Sequence, residues 1–317
     1  MVGLKDLLSG EGAPDTFLGL PGAAGLSGAD LDGADIVIFG ADCATPYASV
    51  GAYCAGGPAA IRAGSADYLG DLGRVNFDLG GPILPDGVRA LDAGDVATDP
   101  ADPAGNRARI AGATSNILAA GAVPVLLGGD DSLPIPMLEA FAGHGPITIL
   151  QIDAHIDWRD DVGGERLGLS STMRRASEMA HVERIIQVGA RGVGSAGMAD
   201  LQAAQDWGAV LIPAHELAHG GIERAVAEVA PGSRVVVCFD CDALDPPIMP
   251  AVIAPTAGGL TYAQALDLIR AVSGKARIAG MDMVEFMPEN DRDGTGARTA
   301  AQLLTSVLGL IGRQAGL

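Results

Sequence analysis

Aromatic side chains are scarce: Phe, Trp and Tyr make up 4 % of the 317 residues, although 48 % are apolar. Packing therefore falls to Ala, Val, Leu and Ile, which suits buried parallel strands covered by helices. Basic residues are also few, 20 against 39 acidic, for a net charge of −19. With no basic stripe to offset repulsion from phosphates, no nucleic-acid partner is expected, and anionic membrane surfaces are disfavoured; a small cation is attracted. Of the four cysteines, Cys43, Cys54, Cys238 and Cys241, none joins a second CxxC pair, which argues against a zinc knuckle. Free buried thiols in a reducing, cytoplasmic setting are the expectation. Residues 1–9 lack a charged-then-apolar leader pattern, and no uninterrupted apolar run approaches spanning length, so no membrane association is expected.

Glycine is abundant, with 46 residues scattered among hydrophobic runs. Short Val- and Ile-rich runs end abruptly in Gly or Asp at 35–40, 123–128, 147–153, 184–189, 234–240 and 277–282. Helix-like segments separate them at 57–66, 106–120, 133–141, 222–229, 261–272 and 297–311. This alternation predicts an α/β fold, a single domain with a mostly parallel, doubly wound sheet. All parallel strands then end at one edge, where ligands of such sheets bind. Residues 1–34 read as an irregular lead-in and 35–317 as the catalytic domain.

Three strand ends carry unusual residues: Gly128-Gly129-Asp130-Asp131-Ser132, Asp153-Ala154-His155-Ile156-Asp157 and Asp240-Cys241-Asp242. On an extended chain, residues at i, i+2 and i+4 share one side, so Asp153, His155 and Asp157 project together, as do Asp240 and Asp242. Carboxylates converging without Lys or Arg repel one another, and divalent cations remove that conflict. A helix cap is the simpler reading of Asp130 alone; it does not account for DxHxD and DxD together.

These residues resemble the ureohydrolase family of arginases, agmatinases and guanidino-acid hydrolases, whose pattern is GGDHS, DAHxD, SFDxDxxDP and a late Glu. The third element appears here as Cys238-Phe239-Asp240-Cys241-Asp242-Ala243-Leu244-Asp245-Pro246, and the last as Asp282-Met283-Val284-Glu285. Gly57-Pro58-Ala59-Ala60-Ile61-Arg62 and Gly258-Gly259-Leu260-Thr261 are smaller matches in family order. The resemblance implies an arginase-like three-layer α/β/α fold. It implies one metal held by Asp131, Asp153, Asp157 and Asp240, and a second held by Asp153, His155, Asp240 and Asp242. A metal-activated water would then attack a guanidinium carbon, releasing urea and an amine. Glu285 would orient the guanidinium, with Asp157 a second catalytic group. A trimer or hexamer is implied as well.

Two departures stand out. Asp131 replaces the family's ligating His, which leaves the cluster one unit more negative and oxygen-rich; that fits Mn²⁺, with Ni²⁺ the alternative. Ser170 aligns with a family His that helps proton transfer, and serine does not serve as a neutral-pH acid in the same way. Residues 251–255 replace Gly-Thr-Gly-Thr-Pro, which predicts a bulkier, more apolar wall. The segment 158–175 is expected to cover the pocket, with Trp158 stacking on a planar cation or packing. Its arginines, Arg159, Arg166, Arg174 and Arg175, either bind a substrate carboxylate or pair with neighbouring acids. Thr45-Pro46-Tyr47 resembles a loop that reaches the pocket in agmatinase-like members. The substrate expectation spans agmatine-like amines, guanidino acids and N-substituted guanidines or biguanides. The alternative is a silent subunit that assembles with an active paralogue.

Overall fold

The computed structural model describes residues 15–69 and 72–315. Its central sheet has eight strands: β1 (Ile36–Ala41), β2 (Ala90–Asp95), β3 (Val123–Gly128), β4 (Ile147–Ile152), β5 (Val182–Val188), β6 (Val210–Ile212), β7 (Arg234–Asp240) and β8 (Arg277–Val284). They run in the order β2-β1-β3-β8-β7-β4-β5-β6, with every neighbouring pair parallel. The four central strands, β3, β8, β7 and β4, are therefore those that lead into GGDDS, Glu285, Asp240-Cys241-Asp242 and Asp153-Ala154-His155. Strand order thus gathers motifs scattered over some 150 positions at one edge of the sheet.

Side-chain alternation builds the layers. Ile36 and Ile38 of β1 join a core with α1 (Gly57–Gly64), α6 (Gly221–Glu228), α7 (Tyr262–Ser273) and α8 (Thr295–Gly312). Val37 and Phe39 face the opposite core, under α2 (Pro103–Ala119), α3 (Pro134–Glu139), α4 (Thr172–Ala176) and α5 (Met198–Trp207). The sheet is buried on both faces, as the apolar runs predict. Helix α1 approaches α8 so closely that a Cβ on Gly64 would lie 2.2 Å from the Ala297 carbonyl oxygen.

Several family-like residues prove architectural. Arg62 donates through Nε to Asp92 at 2.8 Å and through Nη1 to Asp95 at 2.5 Å, tying α1 to β2. Asp245 accepts the Gly258 and Gly259 N–H groups at 2.8 and 2.9 Å, and Thr261 with Gln264 makes a capping box on α7.

The sequence pattern missed β2, β6, α4 and α5. Residues 1–14 of the expected lead-in lie outside the described residues. Residues 15–34 form two 3-10 turns, Phe17–Gly19 and Gly28–Leu31, with Phe17, Leu18, Leu20 and Leu31 buried in the core. Among the described residues no helix is long and apolar enough to cross a membrane.

Candidate metal centre

The chain turns the same way at three strand ends. Asp130, Asp153 and Asp240 each accept an N–H two residues on, from Ser132 at 3.0 Å, His155 at 2.6 Å and Asp242 at 2.6 Å. These Asx turns bend the backbone, so the side chains converge by turning and not by strand alternation. β4 ends at Ile152 and β7 at Asp240, and Cys241–Ala243 is a 3-10 turn. Asp157 goes further and sits in the left-handed region at φ 48°. Glu285 does likewise at φ 62°, its N–H held by the Gly129 carbonyl at 2.8 Å. Such backbone is disfavoured for both residues and persists only where the surroundings fix it. The second glycine of GGDDS is equally forced: a Cβ on Gly129 would lie 2.2 Å from the Asp42 carbonyl oxygen.

Two triads of donor atoms result, each with its atoms within 4.8 Å of one another: Asp131, Asp153 and Asp157, and Asp153, His155 and Asp242. Asp153 belongs to both. Asp240, expected to bridge as well, falls outside both triads, and its Oδ1 caps the Asp242 N–H. It still lies among them, since burial and then the charges of Asp242 and Asp153 raise its pKa well above the usual carboxylate range.

Burial raises Asp131 and Asp157 in the same way, followed for Asp131 by the charges of Asp157 and Asp153, and for Asp157 by the charge of Asp153. For Asp153, burial is outweighed by the hydrogen bond and charge of His155, and its pKa falls. His155 Nδ1 lies 3.4 Å from Asp153 and 3.0 Å from Asp242, hydrogen bonds that push the imidazole up to about 12. Gln151 Nε2 donates to Asp153 at 2.7 Å and to Asp157 at 2.6 Å. No Lys or Arg side chain pairs with these carboxylates among the described residues, and the buried Asp131 Oδ2 has no hydrogen-bond partner. Convergent carboxylates, an imidazole and an orphaned oxygen fit divalent cations.

Glu285 lies beside this cluster and is 5 % exposed. It accepts the Asp131 N–H at 2.8 Å and the Tyr53 hydroxyl at 2.6 and 2.7 Å. Burial outweighs those bonds and lifts it to about 8. A cavity of about 390 Å³ opens beside His155, walled by Ile156, Gly194, Ala196, Met198 and Leu201. Arg191 also lines it, but its guanidinium is spent on the carbonyls of Asp242, Ala243, Leu244 and Thr256.

In the covering segment the packing alternative for Trp158 and the ion-pair alternative for Arg166 and Arg175 hold. Trp158 offers no face to a ligand: it is 1 % exposed, packs against Trp207 and donates to Gln187 Oε1 at 2.7 Å. A buried indole with its N–H satisfied has no face left for stacking on a substrate. Ser170 is buried, and its N–H reaches the Tyr47 hydroxyl at 3.3 Å. The Thr45-Pro46-Tyr47 loop therefore docks on this segment, where a Cβ on Gly168 would lie 2.0 Å from the Tyr47 ring. Arg159 donates to the Ser195 carbonyl at 2.8 Å, while Arg166 and Arg175 pair with Asp160 and Glu178. Of the apolar wall, Ala251 and Val252 turn into the core, while Ile253, Ala254 and Pro255 are exposed. Sequence reasoning missed Tyr53, Gln151 and Arg191, none of which carries a local motif.

Residues 34–309 match the model of the arginase family. The guanidinobutyrase of Pseudomonas aeruginosa is 32 % identical over 293 residues, covering 89 % of this chain and 88 % of that protein. The mitochondrial guanidino acid hydrolase of Homo sapiens is 34 % identical over 251 residues, 75 % of this chain and 68 % of that protein. The solved proclavaminate amidino hydrolase from Streptomyces clavuligerus superposes with a TM-score of 0.81 at 26 % identity, covering 94 % of this chain and 97 % of that one. With the family's strand-end motifs in place around a buried acidic cluster, the chain belongs to the arginase family and is an amidinohydrolase.

Proposed function

We propose that the chain hydrolyses the C–N bond of a small guanidine compound, releasing urea and an amine. The observation that carries this reading is the pair of donor triads sharing Asp153, set directly beside Glu285. Asp131, Asp153 and Asp157 would hold one divalent ion, and Asp153, His155 and Asp242 the other, with Asp240 completing both by a turn of its carboxylate. Mn²⁺ fits the oxygen-rich donors best, and Ni²⁺ is the alternative. When bound, such ions supply a Lewis acid and a water acidic enough to attack near neutral pH.

The protein's own part is positioning. Glu285 accepts the guanidinium N–H groups as a charged fork and fixes the plane of the carbon under attack. The left-handed backbone at Glu285 aims that carboxylate toward Asp131. Asp157, held beside Asp153 by the Gln151 amide, would pass a proton to the leaving amine. Ser170, buried and engaged through its backbone, does not take the place of the family His.

The spent arginines of segment 158–175 and the mostly apolar cavity beside His155 support an amine or N-alkyl guanidine over a guanidino acid. The relatives named guanidinobutyrase, guanidino acid hydrolase and agmatinase support the guanidine itself. A cytoplasmic setting is supported by four buried free thiols. Assembly as a trimer or hexamer, or with a paralogue, completes the reading and is measurable by light scattering.

The test is urea release by the purified chain, stripped and reloaded with Mn²⁺ or Ni²⁺, across arginine, agmatine, guanidinobutyrate, guanidine and dimethylbiguanide. Metal-dependent cleavage of an amine or alkyl guanidine, with arginine inert, is expected. Two bound metals and no turnover of any compound without a second subunit would favour the silent-subunit reading instead. That reading is motivated by Asp131 and Ser170.

A further inference from the structure

Glu285 already has a donor seated on it. The Tyr53 hydroxyl lies 2.6 Å from Oε1 and 2.7 Å from Oε2, so its one proton is shared along the bisector of the carboxylate. That is where a guanidinium fork sits when two parallel N–H groups meet one carboxylate. The Asp131 N–H occupies a further lone pair of Oε1 at 2.8 Å. Phenol and guanidinium therefore exclude each other at this carboxylate.

Tyr53 is carried on a glycine-flanked turn, so displacing its hydroxyl needs only the side chain to rotate. It stands between Gly51 at φ +65° and Gly56 at φ +80°, both in the left-handed region that glycine adopts freely. The turn is tied at both ends: the Gly51 N–H meets the Tyr47 carbonyl at 2.9 Å, the Gly56 N–H meets Asp42 at 2.8 Å and the Gly57 N–H the Cys54 carbonyl at 3.0 Å. The Tyr53 ring is half-buried, and its hydroxyl has no recorded partner among the described residues except Glu285.

We propose that Tyr53 is an internal ligand of the guanidine seat: its hydroxyl holds the fork position on Glu285, and the substrate binds by displacing it. This rests on Glu285 being the guanidinium partner. While Tyr53 is in place, the buried carboxylate keeps a hydrogen bond and its orientation. A guanidinium exchanges that one shared bond for two charge-assisted ones. When the bond is cut and neutral urea departs, the phenol returns and no buried carboxylate is left unpaired. Displacement weakens every ligand of Glu285 by one common factor, so Tyr53 sets the affinity of the seat without changing its ranking of ligands.

Calorimetry of guanidinium chloride and of urea binding to the Mn²⁺-loaded full chain tests this in wild type, Tyr53→Phe, Tyr53→Leu and Glu285→Gln. Both Tyr53 variants are expected to bind guanidinium roughly tenfold tighter, as removal of a competing hydrogen bond to a charged group requires, and urea tighter by the same factor. Glu285→Gln is expected to abolish guanidinium binding. Unchanged or weaker binding in both Tyr53 variants, with Glu285 dependence intact, would overturn the inference and leave the role of Glu285 standing. Binding that survives Glu285→Gln would overturn both.

Discussion

Asp92 and Asp153 are both buried aspartates of one parallel sheet, Asp92 on the edge strand β2 and Asp153 just past the interior strand β4, and they meet opposite fates. Asp92 accepts Arg62 Nε at 2.8 Å and Nη2 at 3.0 Å, with the Phe17 and Gly94 N–H groups at 2.8 and 2.9 Å. Its charge is met by a cation of the chain. Asp153 stands with Asp131 and Asp157, their oxygens within 4.8 Å, and only His155 nearby to answer three carboxylates. A buried acid with its own arginine is architecture. A buried acid cluster without one is a place for an outside cation, because desolvation and like charge otherwise force protons onto it.

This contrast breaks most visibly at Asp153. Asp153→Asn should lower metal-dependent turnover about a thousandfold, a loss of several kcal/mol of transition-state stabilisation, while the metal-free chain melts no lower than wild type. Paired metal analysis and melting curves read both. Arg62→Ala should do the reverse: it strands Asp92 and Asp95, destabilises the fold by about 3–5 kcal/mol, and leaves metal stoichiometry unchanged in whatever remains folded. Denaturant titration gives the number. Glu285→Gln should lower kcat/KM about a hundredfold with both metals retained, since it removes a charged fork and no ligand.

A pH series sharpens the same contrast. Asp131, Asp157 and Asp240 titrate above their unfolded values, and Glu285 near 8. Each contributes stability to the metal-free fold below the unfolded carboxylate pKa and loses it as pH rises through the folded value. His155, raised to about 12, acts in the same sense but is lost only in strong alkali. The melting-temperature gap between metal-loaded and chelated protein should therefore widen from pH 5 to pH 8, as ligands release protons to the metal. A constant gap would refute the charge account. The smallest effect is expected of Asp131→His, which should move the acid limb of turnover down by about one pH unit or less.

Much of this was legible in the sequence because hydrophobic runs of β-branched residues mark buried strands whatever their neighbours. The strands at 36–41, 123–128, 147–152 and 234–240 follow that rule. β2 escaped notice because Ala-Leu-Asp-Ala-Gly-Asp reads as a polar turn until Arg62 arrives from α1. β6 has only three residues, and α5 buries only Ala204, so neither presents a period. The acidic ends announced a cation site, yet the reason was different: Asx turns and a left-handed Asp157 bring the groups together, not an extended strand. Trp158 reads equally as a stacking or a packing residue in sequence, because its burial depends on Trp207 and Gln187, distant in the chain. Tyr53 sits in a glycine-rich loop 232 positions from Glu285, and no local pattern could connect the two.

The central claim is that the acidic edge is a two-ion site. Metal analysis of the chelated and Mn²⁺-reloaded chain, wild type beside Asp153→Asn, tests it most directly. The account predicts two ions per wild-type chain and loss of both in the variant, since Asp153 serves both triads. A wild-type chain that takes up no metal, or a variant that still holds two, would contradict it.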